Sequence, residues 1–223
     1  MNQPNRIEIK EKAKKLLKGN IWNLLKPGLI VYVICFIVSG INTLLFTKTV
    51  ACPSNMLFAI RCSEATVISV IIDFVLSLSF IVFMFGITRY ALKFVRGEQY
   101  SIKEDLFYYF KNDLGVVLLT GIQTSIFISL WSLLFVIPGI IAAISYSMIT
   151  YLKVDTNGTN LITESKKMME GHKGKYFVFM LSFFGWAILG ALTFGLAYIY
   201  VIPYISVSQA LYYEEIKKIN SNN

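Results

Sequence analysis

The chain has 223 residues, of which 56% are hydrophobic and only 15% charged; its mean hydropathy is +0.61 and its formal net charge +8. That balance excludes an ordinary soluble domain, which needs more polar surface at this size, and makes a bilayer the solvent for much of the molecule. The excess of lysine and arginine falls in short stretches beside apolar runs, which points to membrane topology and anionic headgroups and away from nucleic acid.

The first element is basic. In "IEIKEKAKKLLKGN" (7–20) the apolar positions Ile9, Ala13, Leu16 and Leu17 fall on one helix face, so an amphipathic helix over 7–26 is expected, lying flat with its lysines toward headgroups. Pro27 to Thr47 is free of charge and long enough to cross a bilayer, giving a first, uncleaved transmembrane helix at about 27–47 with proline in its first turn. Cys35 lies within it as a small packing residue. Cys52 and Cys62 follow in the next loop, where a disulfide and two unpaired thiols are both open.

A second span is expected at 66–90, interrupted only by Asp73. A carboxylate deep in a bilayer is costly and usually functional. Asp73 is also near enough to the start of the span to sit at the interface, capping a helix that begins at Phe74, and that is the reading adopted. "SIKEDLFYYFKN" predicts a second amphipathic helix over 101–112, with Ser101 and Glu104 in capping-box spacing.

Leu114 to Leu152 is 39 residues without a charge, about two crossings long. Such a run must turn, and "VIPG" at 136–139 places Pro138 in the first turn of a new helix, giving spans at 114–133 and 135–153. Gln123, Ser125, Ser129 and Ser132 line the first, and Ser145, Tyr146 and Ser147 the second. They suit either a polar path or hydrogen bonding between helices.

"NLITESKKMMEGH" (160–172) matches the N-terminal segment at a constant offset of 152, setting Leu161, Ser165, Met168 and Met169 over Ile9, Ala13, Leu16 and Leu17 and Gly171 over Gly19. A third amphipathic helix over 160–171 follows, ended by its glycine. The repeating unit is one such helix followed by one transmembrane hairpin, used three times. The second long run, Tyr176 to Tyr213, gives spans at 176–193 and 196–213 with a turn at "TFG" (193–195). Pro203, in the second "VIP", then falls inside the last helix and should leave the Ile199 carbonyl without its usual donor. Residues 214–223 form a tail. The fold class is thus all-α: one polytopic domain over 1–223, six transmembrane helices in three hairpins. Nineteen of the 21 Lys and Arg fall on one side of such a layout, so both termini are expected in the cytoplasm.

The stretch "IPGIIAAISYSMITYLKVD … SKKMMEGHKGKYFVFMLSFFGWAILGALTFG … VIPYISVSQALYYEE" resembles the domain of unknown function 975, a group of bacterial multi-pass membrane proteins. The features that carry the resemblance are Pro138-Gly139, Tyr146, Ser165 with Met169 and Gly171, Leu181-Ser182-Phe183, Gly185-Trp186 and Pro203-Tyr204, in order over about 137–215. It implies a bacterial membrane protein and assigns no reaction, cofactor or catalytic residue.

The residues themselves agree on chemistry. His172, the sole histidine, is expected as a solvated turn residue without the partners a general base needs. No zinc spacing or phosphate-binding loop appears. The expectation is a non-enzymatic protein of the cytoplasmic membrane, without cofactor, partnered by anionic lipid headgroups and by a membrane protein or a second copy. Its function is transporter-like or, alternatively, accessory or protective, binding a partner protein, lipid or membrane-active peptide. Asp73, Gln123, Ser129, Tyr146, Pro203 and Gln209 are the candidates for a polar path or hinge.

Overall fold

The computed structural model describes residues 4–51 and 61–221. The chain is predominantly helical, and among the described residues five helical stretches are long and apolar enough to cross a membrane: Ile21–Phe46, Val67–Arg96, Leu114–Leu134, Val136–Asp155 and Lys173–Leu192. Their apolar side chains face outward over much of their length, as lipid-facing surface does; Val67, Phe74, Leu133 and Leu192 are each more than half exposed.

The first helix, α1 (Arg6–Leu17), starts where the Asn5 side chain accepts from the Ile7 N–H at 3.2 Å. It ends well before residue 26, because Gly19 adopts φ +88° and redirects the chain. Its apolar face is largely covered by protein, with Ile7 left exposed. Ile9, Ala13 and Leu17 are buried in a protein core with Val207, Tyr212, Tyr213 and Ile216 of the last helix.

The next helix, α2 (Ile21–Phe46), does not begin at Pro27 but runs through it. The missing proline N–H should orphan the carbonyl of Asn23, and the Tyr90 hydroxyl donates to that oxygen at 2.9 Å. A third helix supplies the donor, so the proline is tolerated in the interior.

A short antiparallel pair, β1 (Thr47–Ala51) with β2 (Arg61–Ala65), follows α2 and is a small addition to an otherwise helical fold. The open question of a Cys52–Cys62 pairing lies outside the described residues. The helix α3 (Val67–Arg96) is capped by Thr66, whose hydroxyl accepts from the Ser69 N–H at 3.3 Å and donates to the Phe46 carbonyl at 2.6 Å. Asp73 is therefore not a cap; it lies in the second turn of the helix.

Between 101 and 112 stand two short helices, α4 (Ile102–Leu106) and α5 (Tyr108–Lys111), where one was expected. The anticipated capping box is shifted: Ser101 makes no side-chain cap, and its N–H donates to Asp105, not Glu104, at 2.9 Å. Next come α6 (Leu114–Leu134), α7 (Val136–Tyr146) and α8 (Ile149–Asp155). Pro138 occupies the first turn of α7, and Gly139 packs so tightly on Ser132 of α6 that a Cβ there would collide with it.

After α9 (Leu161–Met168), the stretch 173–192 is divided into α10 (Lys173–Leu181) and α11 (Phe184–Leu192). The turn at 193–195 is where the sequence places it, with Phe194 at φ +50° and Gly195 at φ +92°. The last helix, α12 (Tyr198–Ser221), contains Pro203 in its interior. Expected as a sixth crossing, α12 is not among the five apolar stretches, because Tyr198, Tyr200, Tyr204, Tyr212 and Tyr213 and its charged end lower its hydropathy. It is held by protein contacts: α12 packs on α1, α2 and α3, with Val207, Ser208, Ala210 and Ile216 fully buried.

Candidate functional site

The charged end of the helices carries three ionic clamps. In the first, Asp105, only 1% exposed, receives Lys93 Nζ at 2.7 Å, Arg89 Nε at 3.1 Å and the Ser101 N–H. Arg89 also lies 3.7 Å from the centroid of the Tyr108 ring. The second clamp is Lys153 Nζ at 3.1 Å from Asp113 Oδ2, joining α8 to the start of α6; Asp113 itself sits at φ +59°. In the third, both terminal nitrogens of Arg96 hold Asp155, at 2.7 and 2.8 Å, while its Nε reaches Glu214 at 2.8 Å. Tyr213 and Lys217 donate to the same Asp155 at 2.7 and 2.6 Å. The first and third clamps are hydrogen-bonded as well as charge-paired and hold α3, α8 and α12 in register, whereas Lys153 Nζ is charge-paired with Asp113 without a hydrogen bond.

Away from the clamps, α7 and α9 enclose an open cleft of about 660 Å³. Ser165 of α9 donates to the Ser145 carbonyl at 2.8 Å and fixes the two helices together. One part of the cleft is apolar, built by Trp131, Pro138, Ile141 and Ala142; the other carries Lys166, Lys167 and Lys173, with Glu170. Tyr146 lies between, its ring 5.5 Å from Lys166 Nζ and 6.3 Å from the Phe127 ring. Among the described residues none of these three lysines is paired with a carboxylate.

The six residues singled out from the sequence share no hydrogen bond with one another. Gln123 and Ser129 are exposed on α6. Asp73 is exposed on α3 and accepts from Asn42 of α2 at 2.8 Å; Asn42, 3% exposed, also donates to the Ser69 carbonyl. Tyr146 is buried in the cleft wall. Gln209, half-buried, makes long contacts to the Tyr176 hydroxyl (3.5 Å) and Met180 sulfur (3.4 Å). Pro203 is buried in α12, and among the described residues no side-chain donor reaches the Ile199 carbonyl; the nearby Ser206 hydroxyl goes to Ile202 instead.

His172 is not a solvated turn residue. It is 4% exposed, and its Nδ1 has no partner among the described residues. Burial, with Lys175 close by, lowers its pKa below the usual histidine value.

Sequence reasoning missed Asn42, Asp105, Arg96, Asp155 and Glu214. Asp155 and Glu214 stand just past apolar runs, where a charge reads equally as a solvated flank; Arg96 and Asp105 lie in charged segments between runs, and Asn42 is a lone uncharged polar residue inside one. The Asp113–Lys153 pair did have a signal: these two residues bracket the uncharged run 114–152, and a hairpin brings the ends of its own run together.

Residues 133–220 match the family described as "Protein of unknown function (DUF975)". No curated protein and no solved structure matches the chain.

Proposed function

We propose that this chain, carrying the domain of unknown function 975 over residues 133–220, is an accessory component of the bacterial cytoplasmic membrane that acts by binding and not by catalysis or transport. In this reading α12 is the sixth crossing, the six helices form three hairpins, and both termini are cytoplasmic. The basic residues that flank the spans support that orientation.

One observation carries the choice of binding over transport. The polar residues proposed for a path are dispersed, two of them on the outside of α6, while the interior of the packed end is filled by aromatic side chains. Phe179, Tyr204, Tyr212 and Tyr213 are each no more than 1% exposed. A conduit needs polar groups facing a common space, whereas the open cleft here lies on the flank of α7 and α9. The transporter-like reading keeps one specific support, the Asp73–Asn42 pair within two apolar helices.

Two experiments test the proposal. Reporter fusions after Glu104, Thr159 and the C-terminus should report the cytoplasmic side, and a C-terminal fusion reporting the opposite side overturns the six-crossing layout. Proteoliposomes should show no solute or proton flux above empty vesicles. Flux that disappears in Asp73→Asn at unchanged expression replaces the accessory reading with the transporter.

A further inference from the structure

We infer that the cleft between α7 and α9 is a binding site for one anionic phospholipid, its headgroup on Lys166, Lys167 and Lys173 and one acyl chain along Ile141 and Ala142 toward Trp131. The inference rests on the proposed binding role and names its ligand.

Charge is the first ground. Three ammonium groups and one carboxylate, Glu170, line the basic part, an excess of two positive charges that no described carboxylate answers. Arg89, Lys93, Arg96, Lys153 and Lys217 each have an acidic partner, whereas the cleft lysines, like Lys14, Lys15, Lys103, Lys111 and Lys218, have none among the described residues. What sets the cleft lysines apart is that three of them line one cleft beside an apolar surface.

Shape is the second. The cleft is not a polar bowl. From Tyr146 back to Pro138 it follows α7 for about two helical turns, or roughly 12 Å. Its floor there is Ile141 and the small Ala142, and Trp131 of α6 closes one wall. A free anion would use only the basic part. A phospholipid uses both, because its phosphate and its chain differ in polarity over the same distance.

Access is the third. Trp131 and Ile141 are both exposed, as are Leu133, Phe135 and Ile137 near them in the chain, so a chain can enter sideways from the bilayer without passing through the bundle. Lysine stems tolerate this position by lying along apolar surface while the ammonium stays with the headgroup.

The test uses the full-length protein purified in detergent. Phosphatidylglycerol, phosphatidylcholine and inorganic phosphate are the probes, and native mass spectrometry and thermal shift are the readouts. The wild type should retain phosphatidylglycerol adducts and melt higher with it than with phosphatidylcholine. Lys166→Gln/Lys167→Gln/Lys173→Gln should bind phosphatidylglycerol about tenfold more weakly. A control with the same charge loss elsewhere, Lys103→Gln/Lys111→Gln/Lys218→Gln, should keep wild-type binding. Ile141→Gln, which alters no charge, should also lose adducts and so tests the site independently of whether the triple variant folds. Equal binding of the two lipids, an unchanged preference in the cleft triple variant, full binding by Ile141→Gln, or a thermal shift reproduced by inorganic phosphate alone would each overturn the site. Flux in vesicles of the same lipids overturns the accessory reading, and lipid preference alone decides the cleft.

Discussion

Tyr90 donates its hydroxyl to the carbonyl of Asn23 at 2.9 Å, four residues before Pro27. A proline in a helix interior removes one backbone donor, and lipid offers no water to replace it. Here a neighbouring helix does so, and the bond ties α3 to α2 at the point where α2 would otherwise be weakest. Tyr90→Phe should destabilise the protein by about 1–3 kcal/mol, the cost of an unsatisfied buried acceptor. Pro27→Ala restores the helix's own donor, so it should recover most of that loss when combined with Tyr90→Phe and have a smaller effect on its own. Thermal unfolding of the four proteins in one detergent makes the cycle; additive effects would show that the two residues do not share a carbonyl.

The Arg96 clamp makes a second cycle. Arg96→Gln leaves Asp155 and Glu214 facing each other without their shared cation, and Asp155→Asn leaves Arg96 half-answered. Each should cost about 2–4 kcal/mol, near the lower range for breaking a buried pair because these side chains keep some exposure. The double variant should cost less than the two combined. Unfolding midpoints decide it.

Gly86 lies where α3 meets the backbone of α4. A Cβ there would stand 2.5 Å from the Leu106 carbonyl oxygen and 3.0 Å from that of Asp105. Gly86→Ala should therefore push α4 away and loosen the Asp105 clamp, at about 1–3 kcal/mol. Gly28 in α2 has nothing within 4 Å of the same position, and Gly28→Ala should be neutral or stabilising by up to about 1 kcal/mol. Opposite signs for two glycine-to-alanine changes in helix interiors are the expected result.

Buried His172 gives the protein a pH dependence with a definite sign. Its pKa is lowered in the folded state by desolvation first and by Lys175 second. As pH falls through the ordinary histidine value of about 6.5, the unfolded chain takes up a proton that the folded chain still refuses. Stability is full above that value and declines below it, until the folded pKa is passed. The melting temperature should drop between about pH 7 and 5.5, and His172→Gln should flatten that part of the profile; an unchanged slope would place the dependence on other groups.

The elements were legible where an interruption of the apolar pattern had one physical reading. A run twice the bilayer thickness must turn, and a glycine able to adopt positive φ marks where, hence the agreement at Phe194-Gly195. Asn5 and Thr66 cap their helices without having been singled out in the sequence, and Thr66 takes the role expected of Asp73. Pro27 misled because a proline at the edge of an apolar run looks like a helix start, and nothing in the local sequence reveals that a tyrosine 67 residues beyond Asn23 makes the interior position tolerable. Asp105 was hidden for the same reason. Its neighbour Glu104 has the better local spacing, but the cations of α3 choose between them. The cleft was half visible, in Tyr146 and in the lysines of 160–171, which the sequence directed toward headgroups without assigning them a common space.

The seating of α1 against α12 has a consequence for how the molecule is made. Ile9, Ala13 and Leu17 leave the ribosome long before their berth, Val207 to Ile216 with Glu215 3.8 Å from Lys12. Through most of synthesis α1 lacks the protein it rests on, and the bilayer surface is the nearest apolar phase. Arrival of α12 takes it from the membrane and fastens two distant parts of the chain together. Newly made molecules thus carry an unlatched helix until α12 is complete, and a chain cut short before residue 207 keeps it unlatched, with Ile9, Ala13 and Leu17 uncovered.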